Sequence, residues 1–378
     1  MKVLLTGAGG FVGWHTRARL RALTDHVVIP VDRAGWAELP DLIVDADAVI
    51  HVAGVNRLTA AQVEQGESVE LVEQGNLDLA RSLAAAIRGA DSVTRVVYAN
   101  STQSGNGTAY GRGKAGAGGL LWAAAEAVGA AYVDVRLPNL FGEHGRPGYN
   151  SFVATFVDAL ARGVEPDIAD RPVDLLHVQD AAGSLIEGLT VAERRLEPTA
   201  TSMTVRQVFD LLVSFAQVYA GGDIPPLTSK FEVDLFNTYR ADLFPRHYPM
   251  PLSTHVDARG RLVETVRAHG GQGQTFVSTT LPAMTRGDHF HLRKVERFVV
   301  LAGSGRISLR KLFTTEVVSF DVGGDVPVVV DMPTMWVHNI TNTGSKELTT
   351  LFWTHSLFDP QAPDTFWEPV DVVAGVSA

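Results

Sequence analysis

The sequence predicts a doubly wound parallel α/β sheet followed by an all-β domain. Three observations carry this expectation. Short apolar runs alternate with amphipathic helical patterns through roughly the first 190 residues, the rhythm of strand–helix–strand units. A glycine-rich loop, Gly7 to Gly13, joins the first run to a helical pattern. Beyond Gln274 strand-like runs recur between Gly and Pro with no long helical pattern among them, as in a sandwich or barrel.

Taken in order, Lys2–Thr6, Val27–Val31, Ala48–Val52, Arg95–Ala99 and Tyr132–Arg136 read as strands of the first sheet. Ala80, Leu83, Ala84 and Ile87 repeat at i, i+3, i+4, i+7, one face of a buried helix. Only Asp32–Asp47 separates the second and third strands, so a full crossover helix barely fits there. Val205–Tyr219 reads as a helix, a Gly/Pro break follows at Gly221–Pro226, and residues 200–245 close the first domain. Pro245, Pro249 and Pro251 end helical structure. Thr275–Thr280, Arg297–Leu301, Arg306–Leu309, Val326–Val330 and Leu348–Trp353 then read as strands. The expected division is therefore 1–245 and 246–378, without internal repeats.

Composition narrows the function. The chain has 378 residues, with 32 Lys and Arg against 42 Asp and Glu, a net charge of −10. That argues against a nucleic-acid partner, which needs a basic surface. Cysteine is absent, which removes disulfides, thiol catalysis and thiolate zinc sites. No run of about 18 apolar residues exists, so no membrane span is expected. Strand-like Val3-Leu4-Leu5 begins at once, without a signal peptide. A soluble cytoplasmic protein is expected.

Thr6-Gly7-Ala8-Gly9-Gly10-Phe11-Val12-Gly13 reads as G-x-x-G-x-x-G, with Gly7, Gly10 and Gly13 as its glycines and Phe11 and Val12 opening the helix. Glycine lets backbone turn sharply against a pyrophosphate, and the helix N-terminus offers N–H groups to the anion. A nicotinamide dinucleotide is the expected cofactor. Asp32, at the end of the second strand, can accept from ribose hydroxyls and favours NAD(H). Arg33 can pair with a 2′-phosphate and favours NADP(H). The residues alone leave both open.

Tyr110 and Lys114 form Tyr-x-x-x-Lys, which shares one helical face. A nearby ammonium lowers a tyrosine pKa, and the phenol can then exchange a proton with a carbonyl oxygen while hydride moves. Ser101, just past an apolar strand, can hydrogen-bond the same oxygen, with Thr102 as the fallback. These residues, with the glycine loop, resemble the extended short-chain dehydrogenase/reductase family. His51-Val52-Ala53-Gly54, Asn76, Arg136-Leu137-Pro138-Asn139-Leu140-Phe141-Gly142 and His177-Val178-Gln179-Asp180 resemble further motifs of that family. The resemblance covers roughly residues 1–245. It implies a Rossmann-like sheet, with Ala53 and Gly54 beside the cofactor. Gly116, Gly118 and Gly119 depart from a good helix, each at about 1 kcal/mol against Ala. A close helix–helix approach, such as a dimer interface, is the expected reason.

His289-Phe290-His291 and Glu296 form His-x-His-x4-Glu, and alternate residues of a strand share a face. His338 can supply a fourth ligand. Three imidazoles and a carboxylate suit Zn²⁺ or another divalent metal. This set resembles the cupin family, a double-stranded β-helix or jelly roll. Ala283, Pro327 and Met335 stand where that family has glycine. Lys294 and His355 are the candidates for an acid or base there.

An extended reductase joined to a cupin resembles the CapF family of bifunctional capsular polysaccharide precursor enzymes. Gly54-Val55-Asn56-Arg57, Pro138 to Gly142, Tyr149-Asn150-Ser151-Phe152, Arg259-Gly260, Leu357 to Pro360 and Pro363-Asp364-Thr365 carry that likeness over essentially the full chain. It implies Asn56, Arg57, Asn139 and Asn150 as substrate residues. It further implies C3 epimerisation of a UDP-4-keto-6-deoxy-N-acetylhexosamine by the cupin, then C4 reduction with NADPH to a UDP-6-deoxy-talosamine-type sugar. A homodimer is the expected assembly. Two alternatives stay open: a cupin that only binds or dimerises, and a nicotinamide-binding redox sensor without catalysis.

Overall fold

The structure is a computed structural model that describes residues 1–372. It divides into two compact units: Met1–Phe141, Gly145–Phe152 and Asp170–Val205 form the first, and Gly142–His144, Val153–Ala169 and the residues from Arg206 onward form the second. No helix among the described residues is long and apolar enough to cross a membrane.

In the first unit the strands are, in chain order, β1 (Lys2–Thr6), β2 (Val27–Val31), β3 (Ala48–His51), β4 (Arg95–Ser101), β5 (Ala131–Leu137), β6 (Asn139–Phe141), β7 (Pro172–His177), β8 (Arg195–Leu196) and β9 (Thr201–Thr204). The main sheet runs β2-β1-β3-β4-β5-β8, parallel throughout, and β6-β7-β9 form a small second sheet. Both faces of the main sheet are buried, and alternate residues supply them. Val3, Leu5, Ile50, Val97 and Ala99 pack with Leu20, Ala181 and Leu185. Leu4, Val49, Val96 and Tyr98 pack with Leu83, Ile87, Leu121 and Ala125. Helices Phe11–Leu23 and Val178–Glu187 thus cover one face, and Glu70–Arg88 and Ala109–Ala127 the other.

The short β2–β3 crossover holds only single turns, Gly35–Glu38, Leu39–Leu42 and Ile43–Asp45, in keeping with its length. The glycines of helix Ala109–Ala127 have a packing role inside the chain. A Cβ at Gly116 would lie 2.6 Å from Leu77 Cδ2 of the facing helix, and one at Gly118 would lie 3.3 Å from the Tyr132 hydroxyl. Gly119 faces open space, and nothing in the structure explains it.

The second unit contains β10 (Met250–Pro251), β11 (Thr254–Asp257), β12 (Gly260–Val263), β13 (Gln274–Thr280), β14 (Thr285–Phe290), β15 (Glu296–Ala302), β16 (Ser304–Lys311), β17 (Val317–Gly323), β18 (Val328–Met332), β19 (Trp336–Asn342), β20 (Leu348–Thr354) and β21 (Phe366–Trp367). Two antiparallel sheets run β10-β18-β15-β20-β13 and β17-β16-β19-β14-β21, and β11 and β12 pair as a hairpin.

Helices Val205–Tyr219 and Lys230–Leu243 belong almost wholly to this second unit, so the compact units do not divide at 245/246. Their polar contacts show why. The Tyr219 hydroxyl donates to Asp331 Oδ2 at 2.6 Å, and Asn237 Nδ2 donates to the Arg293 carbonyl at 2.7 Å. Apolar periodicity marks a buried helix face without naming the sheet that buries it.

Arg297 and Asp331 are cross-strand partners on β15 and β18, with Nε to Oδ1 at 2.7 Å and Nη2 to Oδ2 at 2.9 Å. Burial alone would raise the Asp331 pKa, but the Arg297 guanidinium outweighs it and holds the carboxyl below its ordinary value. Removing one member would strand the other charge in the interior. Asp331→Ala should therefore cost about 3–5 kcal/mol of stability in denaturant unfolding. An unchanged unfolding midpoint would contradict that account.

Candidate active site and metal centre

The main sheet switches direction between β1 and β3, since β2 lies on one side of β1 and β3 on the other. Ligands bind at the carboxyl ends of strands at such a point. Gly7 sits there at φ +69°, where a Cβ would come within 2.8 Å of the Ala53 backbone. A Cβ at Gly13 would lie 2.1 Å from the Gly7 carbonyl oxygen. Gly10 caps helix Phe11–Leu23 and donates its N–H to the Gly7 carbonyl at 2.9 Å. Phe11 and Val12 form the first turn, so their N–H groups sit at the helix N-terminus. Asn76 pins the neighbouring loop: its Nδ2 donates to the Val55 carbonyl at 2.7 Å, and its Oδ1 accepts from the Val55 N–H at 3.2 Å and flanks Gly54. Asp32 is exposed at the end of β2, where Oδ1 accepts from Ala34 and Gly35 at 2.9 and 3.1 Å; Arg33 beside it is exposed.

Ser101 ends β4 and is buried; its hydroxyl accepts from the Gln103 N–H at 3.1 Å. Its side chain lies near enough to Tyr110 to lower that phenol's pKa. Thr108 caps the helix that presents Tyr110, accepting from the Gly111 N–H at 3.0 Å. Thr102 is exposed, and its N–H donates to Leu137.

The electrostatics differ from expectation. Burial raises the Tyr110 pKa, and the Ser101 hydroxyl pulls it back in part. Lys114 Nζ donates to the Ala99 carbonyl at 2.6 Å and lies 4.3 Å from the Tyr98 ring centroid. Burial brings Lys114 down to about 7, against the pull of Asp134. His51 stacks on Tyr98 at 5.6 Å and bonds Thr6 Oγ1 through Nδ1 at 2.7 Å. Burial lowers His51 to about 3, so the ring is neutral. The support given by Tyr98 was not legible, because one tyrosine in an apolar run reads as core.

Of the four substrate candidates, Arg57 reaches the segment at 146–149. Its guanidinium lies 4.9 Å from the Tyr149 ring centroid and donates to the Gly148 carbonyl. Arg146 approaches the same ring at 5.5 Å. Asn139 Nδ2 instead donates to the Asp174 carbonyl at 3.3 Å, and Asn56 and Asn150 are exposed.

His289, His291, Glu296 and His338 converge, with their ligand atoms all within 4.8 Å of one another. β14 carries His289, with His291 just beyond its end; β19 carries His338, and Glu296 opens β15 of the other sheet. A bulge between Gly287 and His289 leaves Asp288 unopposed at φ 56°, a device that re-aims the following side chain. Glu296 Oε2 lies 3.0 Å from His291 Nε2 and 3.2 Å from His338 Nε2. The Nδ1 atoms of His291 and His338 face the carbonyls of Asp364 and Trp336 at 2.5 and 3.0 Å. Donation there would free Nε2 of each ring to ligate a cation. Burial would raise the Glu296 pKa, but His291 and His338 hold it well below the usual range. Burial also lowers His289 to about 3 and lowers His338. This donor set fits a divalent cation. Lys294 is tied to Pro363 and Thr365, and His355 Nδ1 accepts from the Val295 N–H at 2.9 Å, so neither stands out as an acid or base.

Comparison with known proteins agrees with both units. Residues 3–195 match the NAD dependent epimerase/dehydratase family, and residues 255–366 match the polysaccharide biosynthesis C-terminal domain. A UDP-2-acetamido-2,6-beta-L-arabino-hexul-4-ose reductase of Pseudomonas aeruginosa is 30% identical over 374 residues, 97% of this chain and 98% of that protein. The capsular polysaccharide assembling protein CapF of Staphylococcus aureus is 32% identical, with coverage of 98% of this chain and 100% of its own and a TM-score of 0.61. A UDP-N-acetylglucosamine 4-epimerase of Methanobrevibacter ruminantium shares the fold at 19% identity and TM-score 0.52, covering 64% of this chain and 98% of that one. The chain belongs to the NAD dependent epimerase/dehydratase family and, over its full length, to the CapF family.

Proposed function

We propose that the chain is a bifunctional nucleotide-sugar enzyme acting on a UDP-4-keto-6-deoxy-N-acetylhexosamine. The second unit, read as a cupin, epimerises C3; the first unit reduces C4 with NADPH. The product is a UDP-6-deoxy-talosamine-type precursor of surface polysaccharide. The observation that carries this reading is the half-buried Tyr110 on the helix that follows the buried, strand-ending Ser101, in a chain matched end to end by a UDP-hexulose reductase.

Bound NADPH supplies hydride to C4. Tyr110 gives its phenolic proton to the C4 oxygen, and Ser101 orients that oxygen by hydrogen bonding. The raised Tyr110 pKa keeps the phenol protonated at neutral pH, the form a reduction consumes. Arg57 and Arg146 offer cationic charge for the diphosphate. In the second unit His289, His291, Glu296 and His338 would hold a divalent metal, whose charge at the ketone oxygen makes the C3 proton more acidic.

Tyr110→Phe should reduce turnover by about 10²–10⁴ while nicotinamide binding persists; near-normal turnover would overturn the assignment. With Arg33 on the 2′-phosphate, wild type should show the higher kcat/KM with NADPH, and Arg33→Ala should narrow the difference. A wild-type preference for NADH that the substitution leaves alone would refute this. His338→Ala should lose metal by elemental analysis and stop deuterium entering C3 of the 4-keto sugar in D₂O, read by NMR. Undiminished exchange in folded, metal-free protein would show that the metal is not needed for epimerisation.

A further inference from the structure

The loop between His291 and Glu296 carries two ligands of the cluster, yet its backbone bonds run to a distant segment. Three successive N–H groups point to one carboxylate. Asp364 Oδ1 accepts from Leu292 at 2.9 Å, and Oδ2 accepts from Arg293 at 3.0 Å and Lys294 at 2.7 Å. Successive amides aimed at one point make an anion-binding concavity, and here the protein fills it with its own side chain. The carbonyl of the same residue lies 2.5 Å from His291 Nδ1. Asp364 therefore touches both the loop and the ligand.

The clamp is reinforced from the opposite side. Lys294 Nζ donates to the Pro363 carbonyl at 2.8 Å and to Thr365 Oγ1 at 2.9 Å. Asp364 holds φ 43°, in the left-handed region that Asp tolerates better than most residues. Surrounding contacts keep such a conformation in place.

We propose that Asp364 is a positioning residue of the metal centre: its carbonyl sets the His291 tautomer, and its carboxylate fixes the 292–294 backbone that spaces His291 from Glu296. This rests on the metal reading of the four-residue cluster. Asp364 touches no expected ligand atom on the metal side, so it acts through His291 and the loop.

Zn²⁺ affinity, measured by competition with a chromogenic chelator on the full chain, tests the proposal. Asp364→Ala should weaken Zn²⁺ binding by about 10–100-fold, the usual effect of an outer-shell partner. Asp364→Asn keeps the backbone carbonyl and the tolerance of positive φ but loses the charge, so it should weaken binding less. Lys294→Met should weaken it least. Unfolding of the metal-free proteins provides the contrast. A merely structural residue would lower the metal-free midpoint and leave the affinity of the folded fraction unchanged. That result in Asp364→Asn would overturn the proposal, and this variant decides if the alanine protein does not fold. Wild type that binds no Zn²⁺ or other divalent ion would instead remove the metal reading itself.

Discussion

A backbone approach too close for any side chain governs the first unit. The Gly13 Cα sits where a Cβ would fall 2.1 Å from the Gly7 carbonyl, and Gly7 sits against the backbone of Ala53. Only glycine permits both contacts, and together they bring the start of a helix to the end of β1. The residue before this loop, Thr6, bonds His51 across the β1–β3 boundary. His51 stacks on Tyr98 of β4, and Tyr98 carries the Lys114 ammonium over its ring. The glycine loop and helix Ala109–Ala127 thus share one buried support. A neutral His51 suits this place, because a second cation beside Lys114 in the interior would be costly.

Buried charge organises the second unit, and its buried carboxylates Asp331, Glu368 and Glu296 are not alike. Asp331 is paired with Arg297, and Glu368 with Arg310 at 3.0 Å. Each has an arginine, which stays charged at any ordinary pH. Glu296 has imidazoles instead, and burial drives His289 and His338 toward the neutral form. A buried carboxylate facing weak countercharges differs physically from the other two, and a divalent cation is the kind of partner that would complete it. That contrast supports reading the cluster as a metal centre rather than as one more structural ion pair.

Much of this was legible because it depends on local chemistry. Strands of the main sheet were visible as apolar runs, since both faces of a parallel sheet are buried. The glycine loop and the Tyr110–Lys114 spacing were visible because each demands particular residues at fixed separations. Strands β14 and β19 were harder to see, although they carry His289 and His338. Their sequences mix Gly, Asp, His, Asn and Thr, and an apolar pattern cannot mark a strand whose inward residues are ligands. The placement of Val205–Tyr219 and Lys230–Leu243 with the second unit was likewise hidden, because Tyr219 meets Asp331 across 112 positions. Lys114 was legible as a residue but not in its environment, since Ala99 and Tyr98 become its partners only once β4 and the helix pack.

On the proposed function, one carbonyl couples the two chemistries. A proton on C3 is acidic only while C4 is a ketone, because the carbanion needs that carbonyl as its electron sink. Reduction converts the ketone to an alcohol and ends C3 exchange at that moment. The order of the steps then follows from bonding alone, whatever path the substrate takes between them. It also assigns different demands to the two sites. Epimerisation takes a proton from C3 and returns one to the opposite face of the same carbon, so it needs no net donor. Reduction consumes one hydride and one proton, so Tyr110 must start each turnover protonated. The burial that raises its pKa serves that requirement directly, with Ser101 limiting how far the pKa climbs.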